Sequence, residues 1–124
     1  METRTKSELR EEAVRRLTEE VALLLRQKES EGLRWRASRL DLMEALYTVF
    51  MMQELHDEQG HPYTFMGLVR QACRILHAKV PRNPYDCAAR GRNRKGFIHS
   101  TYMERYEYLL HTRGLKEPLW EEIF

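Results

Sequence analysis

Five times along this chain a Ser, Thr or Asn stands just ahead of a run whose apolar residues recur every three or four positions. Thr5, Ser38, Thr64, Asn83 and Thr101 are these five residues. A short hydroxyl or amide side chain there can accept a hydrogen bond from an unpaired backbone N–H of a first helical turn. Thr5 with Glu8, and Thr101 with Glu104, read as capping boxes, and Ser38 with Asp41 as a weaker one. Asn83-Pro84 adds the favoured N-cap Asn and a Pro at the first helical position. The pattern confines the chain to a mainly α fold of about five helices with little β structure.

The spacing predicts helices over residues 6–31, 39–56, 65–78, 84–92 and 102–113. In the first, Leu9, Val14, Leu17, Val21, Leu24 and Leu25 form one apolar stripe and charges fill the other side. Gly32 is a natural stop. Its apolar repeat covers only about two heptads, too few for a sustained coiled coil. The second helix is apolar on more than one side, through Leu42, Leu46, Val49 and Phe50 with Met43, Tyr47 and Met51, and so belongs at the centre. Trp35 is expected to point into the core. Strand candidates are residues 33–36 and, more weakly, 97–99. The tail, with Leu115, Leu119, Trp120, Ile123 and Phe124, is apolar enough to pack on its own domain or on a partner.

A chain of 124 residues with 42% hydrophobic and 32% charged residues suits one domain, residues 1–124. It divides into an N-terminal helix (1–32), a central region (33–114) and the tail (115–124). No apolar run approaches the roughly 18 residues of a membrane-spanning helix. The opening METRTKSELREEAVRR has no signal-peptide core. Cys73 and Cys87 are then expected as thiols in the reducing cytoplasm.

Enzyme signatures are missing: no G-x-S-x-G, no P-loop and no glycine-rich dinucleotide motif. The carboxylate pairs Glu19-Glu20 and Glu121-Glu122 sit among charges, without the apolar setting that tunes an acid. Cys73, His77 and Cys87 could supply three zinc ligands, but a structural site wants four. His56, Asp57, Glu58 and His61 read as an ordinary polar loop. The expectation is a non-enzyme with no cofactor, no metal, no membrane association and no small-molecule ligand.

Charge distribution says more than the net +2. Residues 79–96 carry six basic side chains and one acidic, while the regions before and after are close to balanced. Clustering of this kind is what a phosphate-binding surface needs. Two helices joined by a turn, the second opened by a cap and flanked by Arg and Lys, describe a helix-turn-helix-like unit. Lys79, Arg82, Arg92, Arg94 and Lys95 are the candidates for phosphate contact on double-stranded DNA, with Arg70 and Arg74 on the preceding helix. Arg90, on the predicted helix itself, is the candidate for a base edge. Tyr85 and Phe97 could stack on bases but suit core or rim packing better. A single small contact surface calls for a homodimer or a partner to reach useful specificity. The competing expectation is a protein–protein interaction module that docks through the apolar tail.

The stretch LRWRASRLDLMEALYTVF, through Trp35, Ser38, Asp41, Leu42, Glu44 and Tyr47, resembles the opening of the C-terminal domain of the RteC family. Asn83, Tyr85, Arg90, Arg94, Lys95 and Leu109 extend the resemblance over residues 33–114. RteC proteins are transcriptional regulators of Bacteroides-type conjugative transposons. The resemblance implies a DNA-binding domain related to winged helices, acting in transcription regulation of a mobile element. Three departures stand against it: a single helix where the family has an N-terminal domain, Gly91 and Gly96 within the basic turn, and no clear two-stranded wing.

Overall fold

A computed structural model describes residues 3–94 and 100–124 of the chain. Among these residues lie five α-helices: α1 (Lys6–Leu25), α2 (Arg39–Met52), α3 (Phe65–Ile75), α4 (Pro84–Arg92) and α5 (Tyr102–Glu107). A π-helical turn, Tyr108–Thr112, continues α5, and 3-10 turns cover Glu29–Glu31 and Trp120–Glu122. The fold is mainly α; among the described residues β pairing is limited to two isolated bridges.

The caps act as the sequence predicts. Thr5 and Ser38 complete reciprocal capping boxes with Glu8 and Asp41. Thr64 accepts from Gly67 N–H, Asn83 from Asp86 N–H and Thr101 from Glu104 N–H. Ends are less legible than starts. Helix α1 stops at Leu25, not near Glu31, because its apolar stripe is spent there and nothing beyond needs burial. Helix α2 stops at Met52 instead of His56: Gln53 turns left-handed, and its backbone and side-chain N–H groups both donate to Phe50 O. Helix α3 ends at Ile75, three residues before Ala78. His77 takes φ +53°, and Ala78 N–H closes back onto Cys73 O at 2.9 Å.

Helix α2 is the axis of the molecule. It touches α1, α3, α4 and α5, and Leu42, Met43, Ala45, Leu46 and Val49 are all buried. Ala13, Leu17, Val21 and Leu24 of α1, Phe65, Val69 and Ala72 of α3 and Met103 and Tyr106 of α5 complete the core. Helix α4 lies chiefly on α2. Gly91 makes that approach possible: a Cβ there would stand 3.0 Å from Leu40 O and 3.3 Å from the Glu44 side chain.

The connection between α3 and α4 corrects the expected helix-turn-helix geometry. Residues 76–83 separate the two helices, longer than the three- or four-residue turn of that motif. The chain also returns along α3 first, since the Tyr85 ring near the start of α4 is 4.7 Å from the Phe65 ring at the start of α3. The expected strand at residues 33–36 is a single antiparallel bridge, Trp35 with Ile123; the candidate at 97–99 lies outside the described residues. Trp35 is half-buried against the core.

The apolar tail is folded onto its own domain, which counts against the docking segment of the interaction-module expectation. Arg34 N–H donates to Phe124 O at 2.8 Å, and Phe124 N–H returns to Arg34 O at 3.1 Å. Leu119 and Ile123 are buried. Glu20 fastens the segment from inside α1. Its carboxylate accepts from Tyr106 O–H at 2.6 Å, Leu119 N–H at 3.2 Å and Trp120 N–H at 3.3 Å. The Glu19-Glu20 pair, expected to sit among charges without an apolar setting, is therefore split: Glu19 is exposed and Glu20 is buried. Burial pushes the Glu20 carboxyl up, against the lowering effect of the Tyr106, Leu119 and Trp120 donors.

Candidate nucleic-acid interface

The nine residues of α4 alternate between two duties. Pro84, Cys87, Ala88 and Gly91 face α2 and are buried, while Tyr85, Asp86, Arg90 and Arg92 are exposed. A short helix of small residues on one side and long polar ones on the other can lie close to its support and still present charge. Pro84 fixes the entry, and Asn83 Oδ1 accepts from Asp86 N–H at 3.1 Å.

The predicted basic residues fall into three groups. Arg70, Arg74, Lys79, Arg82, Arg90 and Arg92 are exposed. Arg74 donates to the Gln71 side chain, and Arg90 pairs with Asp86 at 3.2 Å across one helical turn. Both Arg90 and Asp86 are open to solvent, so that pair is weak and exchangeable. Arg92 lays its guanidinium over the Tyr47 ring, 4.2 Å from the centroid. Arg94 is the exception. It turns inward, donating to Asp41 at 2.7 Å and Glu44 at 3.3 Å, and its side chain keeps only 18% of its exposure. Lys95 lies outside the described residues, as does Phe97.

Arg94 belongs to an inner polar network that ties three helices together. Asp41 in the first turn of α2 also accepts from Arg105 of α5. Glu44, one turn further on and 1% exposed, accepts from the backbone N–H groups of Tyr102 at 3.0 Å and Met103 at 2.8 Å. These are the first two N–H groups of α5, which have no partner within their own helix. Burial alone would push the Asp41 carboxyl up; hydrogen bonds from Arg105 and Arg94 outweigh it and hold the group below its ordinary value. The same network holds the Arg94 guanidinium charged against the cost of its own burial. One end of the basic stretch is thus bolted to α2, immediately before residue 95.

A cluster of aromatic side chains lies beneath the outer cations. Tyr47 and Phe50 of α2, Phe65 of α3 and Tyr85 of α4 stand ring against ring, with Tyr47 edge-on to Phe65 at 5.2 Å. Tyr85 keeps 50% of its surface, which makes it a rim residue. Sequence reasoning placed Tyr47 and Phe50 on the inner side of α2 but did not join them to Arg92. The available signal was their i,i+3 spacing, which puts two rings on one edge of a central helix. From the sequence, Asp41 reads as a cap and, with Glu44, as a position of family resemblance; neither reads as a partner of Arg94.

Neither cysteine is poised for reaction or coordination. Cys73 and Cys87 are both buried, and burial pushes the Cys73 thiol up to about 11. His77 leaves the helix at its left-handed turn, and its Nε2 contacts Glu29 O at 2.8 Å, so the expected i,i+4 register with Cys73 does not form. Among the described residues no three His, Cys, Asp or Glu side chains gather to hold a metal ion, and no helix is long and apolar enough to cross a membrane.

Comparison with protein-family models, with curated proteins and with solved structures returns no match to this chain.

Proposed function

We propose that the protein binds double-stranded DNA through the exposed surface of α3, α4 and the connection between them, acting as a transcription regulator. The observation that carries this reading is the charge of that surface. Between Arg70 and Asn93 stand six cations, all exposed, and one carboxylate, Asp86. Phosphates require fixed cations, and five of the six pair with no carboxylate among the described residues. Lys79, Arg82 and Arg92, with Arg70 and Arg74, neutralise phosphates. Arg90 exchanges its weak pair with Asp86 for a base edge. Arg94, paired with Asp41 and Glu44, ties the end of α4 to α2 instead of meeting phosphate itself. A homodimer would present two such surfaces to two half-sites. The resemblance to RteC regulators points to a mobile genetic element as the setting, in the cytoplasm.

Fluorescence anisotropy of the purified chain against a random duplex of about 30 base pairs, across a salt series, tests the reading. Binding should weaken with a log–log slope of roughly −3 to −5, one unit of about 0.9 for each phosphate neutralised. The Arg82→Ala/Arg92→Ala double variant should bring the slope closer to zero by about 1.8. No binding at low salt would overturn the proposal.

A further inference from the structure

A second basic locus lies apart from the exposed side of α4. The extended segment before α2, the first turns of α2 and the end of α3 enclose a cleft of about 240 Å³. Its floor is apolar: Leu42, Met43 and Leu76 are buried there and Trp35 is half-buried. Its rim carries Arg34, Arg39 and Lys79. None of the three pairs with a carboxylate among the described residues. No acidic side chain lines the cleft.

The rim is built from fixed parts. Arg34 is held by two backbone bonds to Phe124, and its guanidinium reaches across to His77 O at 3.4 Å. His77 is turned out of α3 by its left-handed backbone and tied to Glu29 O. Trp35 donates its indole N–H to Ser38 O at 2.8 Å, which sets the ring at the entrance to α2. Arg39 follows the Ser38 cap directly. Burial keeps the Cys73 thiol protonated despite the Arg39 charge, so it offers the cleft no internal anion.

Three cations that converge without a counter-charge repel one another and are relieved by an anion. A nucleic-acid backbone would meet only the rim and leave the apolar floor uncovered. The volume lies just below the roughly 300 Å³ at which small-molecule sites begin, room for about one ring and an anionic group. We propose that the cleft binds a small organic anion, a phosphate or carboxylate carrying a flat apolar group that rests on Trp35, Leu42, Met43 and Leu76. The site shares Lys79 with the proposed DNA surface, but it also needs Arg34 and Arg39, neither of which belongs to that surface.

Titration followed by NMR at the Met43 methyl and the Trp35 indole N–H tests it, with phenyl phosphate, benzoate, inorganic phosphate and phenol as probes. Phenyl phosphate or benzoate should saturate both signals, and whichever binds more tightly names the anionic group. Inorganic phosphate should bind at least about tenfold more weakly, for want of the buried ring, and phenol should bind more weakly still. Arg39→Gln and Arg34→Gln, both at exposed side chains, should each weaken the organic anion by roughly tenfold, while Arg92→Gln leaves it unchanged. Phenol binding as tightly as the anions would reduce the cleft to an apolar crevice and overturn the proposal. So would failure of every anion to saturate, or shifts centred on Arg82 and Arg92 instead. Loss of duplex binding in the anisotropy experiment would leave all of these results unaffected.

Discussion

Arg92 and Arg94 are two residues apart in one basic run, and they do opposite things. Arg92 lies outside, its charge resting on an aromatic face and open to water. Arg94 lies inside, its charge answered by Asp41 and Glu44. The end of α4 separates them: Arg92 is the last helical residue, Asn93 caps the helix, and Arg94 turns back toward α2. Local charge density is therefore a poor guide to the charge a surface presents. What decides is whether a carboxylate waits within reach on the supporting helix.

The comparison breaks most visibly at Glu44. If the inner network is structural, Glu44→Ala leaves Arg94 short of a partner in a half-buried site and strips the acceptor from two N–H groups of α5. Removing one member of a buried charged set costs about 3–5 kcal/mol, which urea denaturation would read as a large drop in midpoint at constant slope. Glu44→Gln, which keeps one acceptor and the volume, should fall between that variant and the parent. A loss below about 1 kcal/mol, the range of an exposed pair, would mean that inside and outside do not differ.

Acid titration sharpens the same contrast, because the two buried carboxyls respond with opposite signs. Asp41 is held below its ordinary value of 3.8, so its contribution is complete above that pH and is lost as the pH falls through the folded value. Glu20 is pushed above its ordinary 4.5, so its contribution is complete below that pH and is lost as the pH rises through the folded value. Urea midpoints collected from about pH 3 to about pH 7 should show Asp41→Asn flattening the acid limb and Glu20→Gln flattening the decline on the other side. An acid limb that is the same with and without Asp41 would remove the Arg94 and Arg105 contacts from the stability of the fold.

Much of this architecture is legible in the residues, and the parts that are not share a cause. The caps at Thr5, Ser38, Thr64, Asn83 and Thr101 depend on bonds spanning three residues, so helix starts follow from local chemistry. The ends of α1, α2 and α3 depend on what remains to be buried and on left-handed turns at Gln53 and His77, which no glycine announces. The central position of α2 is readable from its apolar breadth. The inner network is not, because Asp41 and Arg94 stand 53 positions apart and neither residue type marks the other. The basic character of residues 79–96 is readable, but its division between Arg92 and Arg94 is a tertiary fact. The same holds for the cleft, whose Arg34, Arg39 and Lys79 come from three separate segments.

The smallest expected effect is the most discriminating. Arg92→Ala removes a cation over a ring at the surface, a contact worth about 0.5–1 kcal/mol, so the stability of the chain should barely move. Duplex binding should weaken nonetheless, with the salt slope smaller in magnitude by about 0.9. Arg94→Met reverses the pattern: stability falls clearly because Asp41 and Glu44 lose their shared partner, while the salt slope keeps its value as long as the chain is folded. Measured on the same preparations, the two variants place each arginine on one side of the divide. A slope that falls with Arg94→Met in a fully folded chain would mean that its charge reaches phosphate after all, and that the carboxylates beneath it only share what the DNA also takes.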